Sequence, residues 1–405
     1  MKYRLLINLS LIQCFFLNIP NAHSSNADSL QHSKISQILT DIRSEFAPDS
    51  RLAIFDLQLS NDTPERFTLS GKTNQANAII KLEEVLNSLH IACENKISLL
   101  PSSSLGDKIY GVANHSVINL RTEPNYAAEM SSQALLGMPV LILEESNGWY
   151  RIQTSDNYIA WTEKSSISAY NKLQMNNWTT DRKIVFWSDY GSSYEKPNVN
   201  SQRVSDLTMG NVLKYIKTSG KFIQVEYPDN RIAYILKSDC KDFNQWINSS
   251  NPTRSELAAT AQKLMGIPYL WGGTSLKGMD CSGFTKMIYY IHGIIIQRDA
   301  SQQARWGVLI DTENTFDNIE VGDLLFFGKK MKAGQKESIT HVGLYLGNHR
   351  FIDAAGNISL NSFNSDDKLF DAYRLKTFVK AKTYINNIGT EGIVKIKDSP
   401  FYNIR

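Results

Sequence analysis

One cysteine, Cys281, sits where its neighbours could make it a nucleophile. It follows the glycine-rich, aromatic run Tyr269-Leu270-Trp271-Gly272-Gly273 and precedes Phe284, Met287, Ile288 and Ile291, which recur at helical spacing. That spacing places Asp280 and Cys281 at a helix start, where free N–H groups and the positive end of the dipole favour thiolate over thiol. Gly272, Gly273, Ser282 and Gly283 let backbone come close to a bound carbonyl. The plainer alternative is a buried structural cysteine packed as a small hydrophobe. Small neighbours fill a core poorly.

Acyl transfer by a thiolate needs a base and a group that orients the base. Of seven histidines, His341 stands out at the head of His341-Val342-Gly343-Leu344-Tyr345-Leu346-Gly347, an alternating run shortly after the apolar Val321 to Phe327. The next strand, Arg350 to Ala354, carries Asp353 within reach of the ring. His292 and His349 read as exposed residues. No CxxC pair or Cys/His cluster is present, so no zinc site, other metal or cofactor is expected.

Several elements must position these groups. Lys2 and Arg4, the short apolar stretch Leu5 to Ile19 and Ala22-His23-Ser24 describe a signal peptide over residues 1–24. The stretch is too short and polar to span a membrane. Export into an oxidising compartment makes Cys93 and Cys240 a possible disulfide that leaves Cys281 free. A chain of 405 residues with 42% hydrophobic and 20% charged residues is an ordinary globular one, and a net charge of +3 does not argue for nucleic acid.

Residues 25–108 read as a small α+β domain with helical stripes through Ile35, Ile38, Leu39 and Ile42 and over Ala76 to Leu89, and strands at Leu52 to Leu59 and Phe67 to Leu69. From 109 to 245 the chain is strand-rich and repeats itself. Leu136-Gly137, Val140 to Leu143 and Asp156-Asn157-Tyr158-Ile159-Ala160 are echoed by Met209-Gly210, Val212 to Ile216 and Asp229-Asn230-Arg231-Ile232-Ala233. Short alternating strands between Gly, Asn and Asp turns point to two small β-barrels, over 109–170 and 171–245. The polar link Asn248 to Pro252 leads into a chemistry-bearing domain over 250–385, with 386–405 as a tail.

Asp280-Cys281-Ser282-Gly283-Phe284, Gly322 to Phe327 and His341 to Gly347, in that order, resemble the NlpC/p60-type cell-wall cysteine peptidases. Asn119 to Pro124 with Gly148-Trp149-Tyr150 is similar to the bacterial SH3 domains of cell-wall enzymes, a pattern that the second barrel matches loosely. The resemblance implies an α+β chain with a papain-like catalytic domain behind two SH3-like barrels. It also implies the subgroup of γ-D-glutamyl-L-diamino acid endopeptidases (dipeptidyl-peptidase VI type), which cut peptidoglycan stem peptides.

Carried over, the resemblance makes Cys281 the nucleophile, His341 the base and Asp353 the orienting group, where the family more often has His. The N–H of Cys281 or Ser282, with the Tyr269 hydroxyl, would form the oxyanion hole. Asp280, Glu129 and Tyr158 match positions that bind the free amine of the first L-alanine, and Asp299 a position that binds substrate backbone. The expected partners are stem peptides, with no nucleic acid and no membrane span, in an exported, periplasmic or secreted protein. An amidase or acyltransferase, or a non-catalytic wall-binding protein, stays open on the residues alone.

Overall fold

The computed structural model describes residues 22–63, 66–313, 315–331 and 337–403. The signal-peptide segment lies almost wholly outside the described residues. The chain forms two compact units, one of Met1–Pro48 with Ile54–Leu99, the other of Asp49–Ala53 with Leu100–Arg405.

In the smaller unit the helix Ala22–Phe46 buries Ile35 and Ile42, two turns apart on one face. Phe55–Thr63 and Arg66–Thr73 pair antiparallel, and Cys93–Leu99 joins parallel to Arg66–Thr73 after a crossover through the helix Ala76–Ser88. The strand over Cys93–Leu99 was not anticipated. Its residues lack clean alternation.

The larger unit begins with two seven-stranded antiparallel sheets. Counterpart strands have the same neighbours and start a constant 73 residues apart, as in Tyr110 and Lys183, Pro139 and Val212, Ile159 and Ile232, Ile167 and Cys240. Even the backbone repeats: Gly137 and Gly210 have φ of 83° and 89°, and Asn157 and Asn230 φ of 64° and 68°. Glycine and asparagine recur there because each turn needs a left-handed residue. Each sheet encloses its own core, around Ile118, Ile142 and Ile152 in the first and Ile184, Leu213 and Ile235 in the second.

Behind them lies a six-stranded sheet ordered Val308–Ile310, Phe378–Thr383, Leu324–Lys329, Ser338–Gly347, Arg350–Ala355, Asn357–Ser362, antiparallel throughout. The helix Cys281–Ile291 packs across it with every residue buried except Lys286. A helix apolar all round belongs at the centre of a core, and each buried Phe, Met or Ile contributes about 1.5–3 kcal/mol. Its single ammonium meets the buried carboxylate of Asp156 of the first barrel in a largely buried ion pair. The stretch read as a tail carries the strand Ile393–Lys395, paired with Ile294–Ile296, and buries Ile393 and Ile396 completely.

The thiols of Cys93, Cys240 and Cys281 are all free, so the possible Cys93–Cys240 disulfide is not formed.

Candidate active site

The helix start that carries Cys281 is held by its own N-cap. Asp280 Oδ1 accepts the Gly283 N–H at 2.7 Å, and the Asp280 carbonyl accepts the Phe284 N–H at 2.9 Å. Among the described residues this leaves the N–H groups of Cys281 and Ser282 without an acceptor. The turn before the helix lies close enough that a Cβ on Gly283 would stand 2.0 Å from the Gly273 carbonyl oxygen. That contact is why glycine follows the Cys-Ser pair.

His341 lies on the strand Ser338–Gly347, and Asp353 on the adjacent strand opposite Gly343. The two residues are therefore diagonal neighbours on one face, within side-chain reach. His341 Nε2 stands 2.6 Å from Asp353 Oδ2, which leaves Nδ1 as the ring nitrogen for Cys281. Burial works against the charged ring. The Asp353 hydrogen bond and the neighbouring Cys281 outweigh it and push the His341 pKa up to about 9. Asp353 is completely enclosed and has two further partners, the Asn361 amide at 2.8 Å on its other oxygen and Arg374 Nε at 2.9 Å. The Arg374 guanidinium also faces the Phe327 ring. The carboxylate behind the histidine thus faces the Arg374 cation and is held in place by Asn361.

Cys281 and His341 open onto a cavity of about 440 Å³ whose walls come from the first barrel, from the helix-and-sheet domain and from Arg51. Tyr269, Glu129, Tyr158, Asp280, Ser282 and Asp299 all line it. Burial and the neighbouring Cys281 and Asp280 push the Tyr269 phenol up to about 12, so it is a hydrogen-bond donor at working pH. Tyr158 belongs to the barrel core and to the cavity wall at once, and burial, then Asp299, push its phenol up as well. Glu129 is exposed and accepts the Trp271 indole N–H at 2.6 Å. Burial raises the Asp299 carboxyl against the pull of Arg298 and Arg51.

Asp280 is a different matter. Its two oxygens take both terminal nitrogens of the buried Arg298, at 3.1 and 2.6 Å, the Gly272 N–H at 3.0 Å and the Gly283 N–H. A carboxylate so occupied holds the loop and helix together and offers no oxygen to a ligand amine. Arg298 in turn holds the Ser282 hydroxyl at 2.9 Å.

Sequence reading missed Arg51, Trp271, Asn361 and Arg374. Only Trp271, in the aromatic run before the cysteine, had any local signal.

A second cavity contains another Cys and His, which makes a useful contrast. Cys240 and His292 line a space of about 660 Å³. Burial, then Asp239, pushes the Cys240 thiol up to about 12, and its S–H donates to the Leu236 carbonyl at 3.5 Å. His292 is half-buried, not exposed as expected, with its ring beside the Thr260 hydroxyl, and burial lowers its pKa. A neutral thiol and a neutral ring make no nucleophile.

Residues 266–375 match the NlpC/P60 family, and residues 120–167 match the bacterial dipeptidyl-peptidase SH3 domain. The chain carries an NlpC/P60 peptidase domain behind a bacterial SH3 domain. It is 28% identical over 268 residues to dipeptidyl-peptidase 6 of Lysinibacillus sphaericus, covering 62% of this chain and 91% of that protein. It is 27% identical to a gamma-D-glutamyl-L-lysine dipeptidyl-peptidase of Bacillus cereus, covering 56% of this chain and 67% of the relative. The crystal structure of an NlpC/P60 family protein from Bacillus cereus superposes with a TM-score of 0.58 at 22% identity, over 68% of this chain and 99% of that one. An NlpC/P60 endopeptidase from Photobacterium damselae subsp. piscicida superposes with a TM-score of 0.50 at 16% identity, over 85% of this chain and 80% of that one. At such identities the two superpositions speak for the fold. Among the described residues no helix is long and apolar enough to cross a membrane.

Proposed function

We propose that the protein is an exported cysteine peptidase that hydrolyses the γ-D-glutamyl–diamino acid bond of peptidoglycan stem peptides whose N-terminal L-alanine is free. The observation that carries this reading is the single cavity in which Cys281 and His341 share walls with the acidic and phenolic groups Glu129, Tyr158 and Asp299. Such groups suit an ammonium at a fixed distance from the attacked carbonyl.

The Cys281 thiolate attacks the γ-carbonyl carbon. The oxyanion that forms takes hydrogen bonds from the Cys281 and Ser282 N–H groups and the Tyr269 hydroxyl, where one such donor is worth about 10²–10³ in rate. The His341 imidazolium gives its proton to the departing diamino-acid nitrogen, and the C–N bond breaks to leave a thioester. Neutral His341 then takes a proton from water, whose oxygen attacks the thioester. The L-Ala-D-Glu carboxylate leaves and the thiolate–imidazolium pair is restored. Asp353 keeps Nδ1 toward the sulfur throughout.

Mass spectrometry of L-Ala-γ-D-Glu-diamino acid peptides treated with the native protein and with Cys281→Ala tests the reading. Release of L-Ala-D-Glu by the native protein alone supports it. N-acetylation of the alanine removes the charge that Glu129 and Asp299 face, and should cut turnover at least tenfold. Equal turnover of free and acetylated peptides would reject an amine-binding end.

A further inference from the structure

A γ-linked glutamyl residue carries a free α-carboxylate next to the bond that breaks, so a site for it must accommodate one negative charge as well as the terminal ammonium. The ionic groups on the cavity wall, among the described residues, are Arg51, Glu129, Asp280, Arg298, Asp299 and His341. Arg298 is buried and engaged by Asp280, Ser282 and Ser132. His341 belongs to the cysteine. Arg51 is left, with a side chain 37% exposed.

Arg51 comes from the five residues Asp49–Ala53 that belong to the larger unit although the chain on either side of them does not. Its Nε and Nη2 both grip Asp49 at 2.8 Å, which fixes the plane of the guanidinium. Nη1 donates to Asp299 Oδ2 at 2.8 Å. The remaining contacts of Nη1 and Nη2 are two long ones, 3.4 Å each, to the Ser301 hydroxyl, which also lines the cavity. The outer edge of the fork is thus held in place and weakly engaged.

We infer that Arg51, with the Ser301 hydroxyl, binds the α-carboxylate of the γ-D-glutamyl residue and so makes the enzyme distinguish D-glutamate from its α-amide, D-isoglutamine. This rests on the γ-glutamyl reading above. Asp299 beside Arg51 gives the cavity a paired negative and positive group, the complement of a zwitterionic dipeptide. A carboxylate gains two charge-assisted bonds from the fork, whereas the amide brings an NH₂ against it and no charge.

The test is kcat/KM for L-Ala-γ-D-Glu-L-Lys and for the same peptide with D-isoglutamine, measured with the native protein, Arg51→Gln and Arg51→Lys. The native protein should prefer the carboxylate by about tenfold or more, the scale of one lost charged hydrogen bond. Arg51→Gln should bring the ratio close to one, and Arg51→Lys should leave an intermediate ratio, since a point charge lacks the planar fork. Because the concentration of active enzyme cancels between the two kcat/KM values, the ratio is independent of how much of a variant folds. A native ratio of one, or a ratio unchanged in Arg51→Gln while both rates fall together, would overturn the proposal and leave Arg51 as a brace for Asp49 and Asp299. Cleavage of neither peptide by the native protein would overturn the γ-glutamyl reading itself, and this proposal with it.

Discussion

Replacing Asp353 by asparagine should move the alkaline limit of activity downward. The side chain keeps its shape and an oxygen for Arg374 Nε, and a flip of the Asn361 amide turns its oxygen to the new NH₂, so the change is chiefly one of charge. His341 stands at about 9 against an ordinary 6.5, with burial opposing the shift and Asp353 and Cys281 producing it. If the carboxylate supplies about half of that lift, Asp353→Asn lowers the ring pKa by about one pH unit or more, at about 1.4 kcal/mol each. The imidazolium is the proton donor to the leaving amine and the partner of the thiolate, and it is lost as pH rises through the folded pKa. In the native protein kcat/KM should therefore fall near pH 9, and in Asp353→Asn at correspondingly lower pH with a maximum reduced about 10²–10⁴-fold. The pH dependence of Cys281 alkylation by iodoacetamide reads the same pair without any substrate. Folding is linked with the same sign. The raised pKa contributes stability that is present in full below the unfolded value near 6.5 and lost as pH rises through about 9. The thermal midpoint of Asp353→Asn should thus decline less over that interval. An alkaline limb that stays in place, with alkylation unchanged, would refute the role given to the carboxylate.

Lys286→Met leaves the enclosed Asp156 carboxylate unpaired and should cost about 3–5 kcal/mol in urea unfolding, most of it recovered when Asp156 is also made apolar; a cost under about 1 kcal/mol would mean water reaches the pair. Gly283→Ala places a Cβ 2.0 Å from the Gly273 carbonyl oxygen, so the helix start must separate from the loop, and alkylation of Cys281 should slow along with peptide cleavage. Cys240→Ser should leave cleavage unchanged, because burial keeps that thiol neutral; a loss comparable to Cys281→Ala would contradict the assignment of the nucleophile.

What could be read from the residues alone was what repeats over short distances. The helical stripe behind Cys281, the alternation after His341 and the Gly and Asn turns of the two sheets each leave a periodic mark within a few residues. Partnerships made in space leave none. Arg51 reaches Asp299 across 248 residues, and Arg374 reaches Asp353 from a short helix after an unrelated turn. Asp280 was legible as an acid beside the cysteine, but not that Arg298 occupies it. The same limit hid the strand Ile393–Lys395, whose three residues gain meaning only beside Ile294–Ile296.

The constant interval between the two sheets gives every position in one a counterpart in the other. Thr122, Glu129, Ser131 and Tyr158, which line the cavity, correspond to Glu195, Gln202, Val204 and Arg231. The second copy thus loses the carboxylate of Glu129 and the hydroxyl of Ser131, has a cation in place of the Tyr158 phenol, and carries an acid only at the place of Thr122. Arg231 instead donates through Nη2 to the Asn114 carbonyl of the first sheet at 2.8 Å, clamping one copy to the other. The duplicate is the same scaffold with its recognition face rewritten and turned into a fastener. Transplanting the four residues from one copy to the other would separate what the scaffold supplies from what its side chains select.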